Sequence, residues 1–369
     1  MPKWNDFSNI WSTVRELDVG NIQEQSERPL RIAIVGAGAV VDEVARLLYS
    51  GTQRYALIQH NPIHKVALED ADKSLDTIRS ADLMLIAIDA RQALSERDQQ
   101  AIAASTKTLA LPTLNVLLYQ AEAALVHAPA VGYAVHIANP TSIQAADILA
   151  KAVLERLPDD VHLAAARSLP GLRPIYAKEL IAATSFSNAS YSLASGLPEQ
   201  IPVLNVPFVA ADLLVLTKNQ AILVYKLALA YGSAPDFQAR LREIVPVIGG
   251  AFLWRQAARS LIGLIPVWGL LPKVAVAYAG TYTTGIAAWR WYENGEMVSS
   301  DQIKRITEEA ITLGRSRAAE MIAKARDAGD QLSRRQLNAP AANLRERLRQ
   351  PFHNLGQRVG QLNPLKRKR

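Results

Sequence analysis

Cysteine is missing from all 369 positions, which excludes a disulfide framework, thiolate catalysis and any cysteine-ligated metal site. Histidine is sparse: His60, His64, His127, His136, His162 and His353 are scattered along the chain. Only His60 and His64 stand at i, i+4 spacing, across Pro62, which opposes a helix. The metalloprotease pattern H-E-x-x-H is absent, and "LASGLP" around Ser195 lacks the first glycine of a G-x-S-x-G nucleophile elbow. No catalytic apparatus is visible. The N-terminus has no apolar signal-peptide run; Trp4, Phe7, Ile10, Trp11, Val14 and Leu17 recur there at helical spacing. Residues 1–29 are therefore expected to be an amphipathic segment that docks on the rest of the chain or on a membrane surface.

What is present is apolar. Hydrophobic residues make up 49% of the chain, enough at this length for two domains with cores of their own. From Leu30 to about Pro158, apolar β-rich runs alternate with helical periods. "RIAIVG" leads to a helix from Asp42 to Ser50, "YALIQH" to a helix near Ala71–Ser80, and "ADLMLIAIDA" to a helix through "SERDQQAIAAS". "PTLNVLLY" then leads to a helix near Gln120–His127, and "GYAVHIA" to the helix "IQAADILAKAVLERL". This rhythm predicts an α/β domain over 30–158, a mostly parallel sheet with helices on both faces. After Asp160 the strand signals stop, and residues 161–329 read as an all-α hydrophobic helical domain broken by Gly and Pro. Residues 330–369 read as a basic flexible tail.

The first strand runs through glycines into a helix: "RIAIVGAGAVVDEVAR", residues 31–46. A P-loop, G-x-x-x-x-G-K-[ST], needs backbone amides to cradle phosphates, a lysine to neutralise them and a hydroxyl for magnesium. With Gly36 as first glycine, Val41, Asp42 and Glu43 occupy the last three positions. Valine lacks glycine's backbone freedom, and two carboxylates stand where a cation belongs. The dinucleotide pattern G-x-G-x-x-G fits Gly36 and Gly38 but also meets Val41, and "LIQH" lacks the ribose-binding acid. The simpler reading is a tight strand-to-helix turn, with Asp42 and Glu43 in the helix's first turn. The segment Gly51–Ala81 holds no D-x-x-G, and Tyr119, Gln120, Ala121 and Glu122 stand where a guanine-reading N-K-x-D would.

"ADLMLIAIDARQALSERDQQAI", "LPTLNVLLY" and "HIANPTSIQAADILAKAVLERLP" nevertheless resemble the second half of an Era-like GTPase domain, with "IANP" where the S-A-K-type motif lies. The resemblance implies a P-loop-GTPase-like fold over residues 30–158 in which each chemical position is substituted, a pseudo-GTPase. "LPGLRPIYAKELI", "ADLLVLTKNQAILVYKLALAYG", the apolar stretch from Ile244 to Glu293 and "EEAITLGRSRA" resemble a hydrophobic helical domain of no established activity. That domain follows Era-like GTPases and occurs in YcjF-type bacterial inner-membrane proteins. The resemblance implies membrane association beside a G domain.

Ser260–Trp289 carries one charge, Lys273, but Pro266, Gly269 and Pro272 divide it into pieces shorter than the ~20 residues a spanning helix needs. A hairpin dipping into a bilayer, a broken helix pair and buried core helices all fit. Trp254, Trp268, Trp289 and Trp291, with Arg255, Arg259, Lys273 and Arg290, cluster at the ends and the break of these runs, as in an interfacial belt or at the cap of a bundle. Within residues 211–232, Asp212, Thr217, Lys218, Asn219 and Gln220 interrupt an apolar run and must be hydrogen-bonded, helix to helix or around a ligand or ion. The net charge of +7 belongs to the C-terminal end: Asp301–Arg369 has 16 Lys and Arg against 7 Asp and Glu. Its one aromatic after Ala323, Phe352, offers little stacking for nucleic acid, whereas anionic lipid headgroups attract such a tail. The expected protein is a non-catalytic scaffold without nucleotide, cofactor or metal. It would lie on the cytoplasmic side of a bacterial inner membrane, or in the cytoplasm, with lipids, a protein partner or a second copy as partners. A divergent nucleotide hydrolase using the Gly36–Val40 loop and a soluble helical-bundle interaction protein are the alternatives.

Overall fold

In the computed structural model, residues 17–52, 61–71, 73–91, 95–96, 99–100, 111–119, 133–196, 207–247 and 270–337 are described. The short helix α1 (Gly20–Glu27) precedes β1 (Ile32–Gly36) and α2 (Gly38–Tyr49). Then come β2 (Ile63–Ala67), a 3-10 turn (Leu68–Asp70), α3 (Leu75–Arg79), β3 (Leu83–Asp89), β4 (Thr113–Tyr119) and β5 (Ala134–Ala138). Among the described residues these strands form one sheet, all parallel, in the order β2-β1-β3-β4-β5.

β1, β3 and β4 read as nearly unbroken apolar runs because both of their faces are covered. Ile32, Ile34, Leu83, Leu85, Leu114 and Val116 look toward α2 and the helix α4 (Ile143–Arg156). Ala33, Val35, Met84, Ile86 and Leu117 look the other way, with Val66 of β2 beside them and Ile78 of α3 packed against them. A one-residue change of register would exchange the two sets.

Three expectations change. β2 is "IHKVA", pairing Ile63 with Ile32, whereas "YALIQH" lies outside the described residues. As an edge strand, β2 buries only Ile63 and Val66, too few apolar positions to stand out in the sequence. His64 is thus a strand residue. α2 begins at Gly38, so its first turn contains no acid, and Asp42 and Glu43 stand in the second turn. The apolar pair Val40–Val41 extends the helical face back toward β1, which is why it begins before its polar residues. Among the described residues of the segment 71–80, helix is confined to the short α3.

After β5 every described element is helical. A 3-10 turn (Asp159–Val161), α5 (His162–Ser168) and a second 3-10 turn (Pro170–Leu172) lead into α6 (Arg173–Gly196), α7 (Pro207–Ala230) and α8 (Phe237–Val247). α9 (Leu270–Asn294) and the 38-residue α10 (Ser300–Leu337) complete the set. Gly285 lets α9 approach closely: a Cβ there would meet Ile181 at 2.7 Å and Leu223 at 3.2 Å. The start of α10 carries a capping box in which the Gln302 amide donates to Ser299 Oγ (3.3 Å) and the Ser299 amide to Gln302 Oε1 (2.8 Å). No helix among the described residues is long and apolar enough to cross a membrane.

The apolar core does not stop at residue 160. One cluster runs from Ile32, Leu47 and Leu48 through Leu154, Leu163 and Leu172 to Tyr225, Ala288 and Tyr292.

Candidate functional site at the sheet's switch point

In a doubly wound sheet of order 2-1-3-4-5, ligands bind beyond the carboxyl ends of β1 and β3, where the winding reverses. Here that crevice is bounded by Gly36, Ala37 and Gly38 on one side and by Asp89, Ala90 and Arg91 on the other. β1 ends at Gly36 and α2 starts at Gly38, so a single residue, Ala37, connects them. The remaining P-loop positions are already turns of helix, and Val40 and Val41 donate their amides to the Ala37 carbonyl (3.0 and 3.1 Å).

The two glycines have different reasons for being there. A Cβ on Gly36 would lie 2.5 Å from the Ala87 carbonyl oxygen of β3, so glycine is needed for strand packing. Gly38 has no atom within 4 Å of where its Cβ would be, and neither residue has a positive φ.

Arg91 fills the mouth. Its Nε donates to Asp89 Oδ1 (2.7 Å), and its Nη2 donates to Asp89 Oδ2 (3.1 Å) and to Glu43 Oε1 (3.2 Å). The Arg91 amide also donates to Asp89 Oδ1 (3.0 Å). These three side chains are only 18–29% exposed. The hydrogen bonds to Asp89, and secondarily that to Glu43, hold the guanidinium in its charged form, its pKa raised. Asp42 has turned away to Lys65 of β2 (2.7 Å). A cation is thus present at the crevice, but it is tied to two carboxylates that an incoming phosphate would have to displace. At the rim, Asn139 takes a left-handed φ of 50° within "IANP", and Arg46 donates to the Pro140 carbonyl (3.3 Å).

Sequence reasoning singled out Gly36, Gly38, Val41, Asp42 and Glu43, and all lie at or beside this crevice. Val41, however, is buried in the core. Arg91, Asp89 and Lys65 were missed. The available signal was "DAR" at the end of the most apolar strand, since strand carboxyl ends are where sites form in such sheets. Among the described residues no group of three or more His, Cys, Asp or Glu could hold a metal.

Of the interface candidates, Trp254, Arg255, Arg259 and Trp268 lie outside the described residues. Lys273 falls in the first turn of α9, and Arg290 is half-buried on the same helix. Trp289 donates to Tyr231 Oη (2.5 Å) and Trp291 to Glu243 Oε1 (2.9 Å), so both indoles have partners within the protein. Asn219 and Gln220 are satisfied helix to helix, by Asn188 and Thr281.

Where the halves meet, Arg173 is fully buried. Its Nε donates to the Ala166 carbonyl (3.1 Å), Nη2 to the Arg167 carbonyl (3.1 Å) and Nη1 to the Thr52 carbonyl after α2 (2.9 Å). Its guanidinium lies over the Tyr231 ring at 5.6 Å. Burial pulls its pKa down to about 10. Arg167 donates to the carbonyls of Leu229 (2.7 Å) and Ser233 (2.8 Å). The two cations thereby sit at the carboxyl ends of α5 and α7, where helix dipoles favour positive charge.

No family model, no curated protein and no solved structure matches this chain.

Proposed function

We propose that the chain is a non-catalytic scaffold: a pseudo-GTPase-like α/β half, its nucleotide chemistry replaced, joined to a helical half that attaches it to the cytoplasmic face of a bacterial membrane. The observation that carries the first part is the state of the switch point. A one-residue connection leaves no loop to surround a phosphate, and Arg91 is already held by Asp89 and Glu43. The all-parallel order of the sheet fits descent from a doubly wound nucleotide-binding fold, and the retained Gly36 fits strand packing better than phosphate binding. Membrane attachment is supported by the sequence between Trp254 and Lys273 and by the basic tail.

The experiment is a titration of the purified chain with labelled GTP, ATP and NAD in the presence of magnesium. No saturable binding is expected, and micromolar binding abolished by Gly38→Trp would sink the scaffold reading. A second reading, a helical bundle that meets a protein partner without lipid, is favoured by the inward hydrogen bonds of Trp289 and Trp291. Carbonate and high-salt washing of cell membranes separates the two. The scaffold reading expects the protein to sediment with membranes and resist salt. A chain never found with membranes supports the bundle.

A further inference from the structure

The interior joining α6, α7 and α9 is not wholly apolar. Asn188 Nδ2 donates to Thr281 Oγ1 (2.8 Å), and Asn219 Nδ2 donates to Asn188 Oδ1 (2.6 Å). Gln220 Nε2 donates to the same Thr281 oxygen (3.2 Å), which in turn donates to the Ala277 carbonyl (2.8 Å). Asn188 and Thr281 are fully buried, and together these groups bind three helices through neutral hydrogen bonds.

Ser185 and Ser192 stand one turn to either side of Asn188 on α6. The spacing i, i+3, i+7 puts all three on one face. Both serines are fully buried, and neither hydroxyl oxygen has a hydrogen-bond partner in the protein. Helical hydroxyls ordinarily escape this situation by donating to the carbonyl four residues back. Thr184 and Ser190 of the same helix do so, to Leu180 and Phe186, each at 2.8 Å. Ser185 and Ser192, the two on the Asn188 face, do not.

A buried hydroxyl without a partner costs about 1–3 kcal/mol, so two of them beside a satisfied amide cluster call for an occupant. Its chemistry follows from the two hydroxyls and the amide cluster they flank on α6. Ser185, Asn188, Ser192, Asn219, Gln220 and Thr281 carry no ionisable group, so a cation or anion would be buried without a counter-charge. A neutral molecule that both donates and accepts, and is small enough for a close-packed bundle, is needed. We infer that this seam is a hydration site, with one ordered water at Ser185 and one at Ser192, each linking its hydroxyl to the Asn188 cluster. The three helices are then joined by a continuous polar seam.

The sign of a substitution tests this. If the hydroxyls are idle, Ser185→Ala and Ser192→Ala remove a cost and stabilise the chain; if they hold water, both variants lose a hydrogen bond. The expected result is an unfolding constant raised about fivefold by each substitution, with the water-oxygen magnetic relaxation dispersion of the full chain losing the amplitude of one long-lived water per variant. Unchanged or increased stability, or undiminished dispersion, at either serine overturns the inference. Should a variant fail to fold, a high-resolution crystal structure of the unsubstituted chain decides. Ordered oxygens bonded to both hydroxyls support the seam, and hydroxyls donating to protein carbonyls overturn it.

Discussion

Glu293 shows how burial tunes a single carboxyl in this molecule. It lies half-buried on α9, where Tyr231 Oη donates to it at a long 3.5 Å, and that phenol is itself the acceptor of the Trp289 indole. Lys178 is nearby but is paired with Asp147 (3.2 Å). Desolvation is the largest influence and raises the Glu293 pKa above the ordinary carboxylate value. A carboxyl raised on folding costs nothing below its unfolded pKa, where it is protonated in both states. The penalty grows as pH climbs through the folded pKa and is complete above it. Glu293→Gln is therefore expected to raise the melting temperature at pH 7 and to leave it nearly unchanged at pH 3. Thermal melts of both chains across this range check it; equal gains at both ends would mean that the glutamine acts by packing.

At the scale of elements, the β1-to-α2 connection distinguishes a packing glycine from a phosphate-loop glycine. A Cβ at position 36 would press to 2.5 Å from the backbone oxygen of Ala87 in a buried strand that cannot retreat. Gly36→Ala is expected to cost about 1–3 kcal/mol, the usual range for overpacking. Gly38 has open space and a helical backbone, so Gly38→Ala is expected to stabilise by roughly 0.4–1 kcal/mol through the unfolded state. Urea unfolding of the two variants reads these opposite signs directly. How far the elements were legible follows from burial. β1, β3 and β4 were readable because two covered faces leave continuous apolar runs, and α4 because its periodicity is intact. β2 was not, since an edge strand with Lys65 and Ala67 facing water has too little apolar signal. At the site, the glycines and acids were visible as motif substitutions. Arg91 was not, because its role depends on β3 lying beside β1, a neighbour relation that no local pattern encodes.

The whole molecule tests whether the change of pattern near residue 160 is also a break in cooperativity. The sequence changes character there, from alternating strands to helices, and this suggested two units. Physically, close joints cross that point. Gly171 packs against the end of α2 so closely that a Cβ would lie 2.3 Å from the Leu47 carbonyl oxygen and 2.8 Å from that of Leu48. Gly51, at φ +125°, turns the chain beside Pro170. Arg173 then bonds the Thr52 carbonyl on one side and the end of α5 on the other. A continuous core containing both Leu48 and Tyr231 surrounds these contacts. Opening the joint would break the three hydrogen bonds of a charged guanidinium, each contributing about 1.5–3 kcal/mol net. The full chain is therefore expected to unfold in one transition, with the fluorescence of the tryptophans, all of which outside residues 1–16 follow residue 160, coinciding with circular dichroism of the whole. Arg173→Met should lower that single midpoint without splitting it, and Arg173→Lys should recover little, because a point cation cannot reach three carbonyls at once. Two separated transitions in the unsubstituted chain, or a midpoint unmoved by Arg173→Met, would show that the α/β and helical halves stand independently and that the interface is an adhesion rather than a shared core.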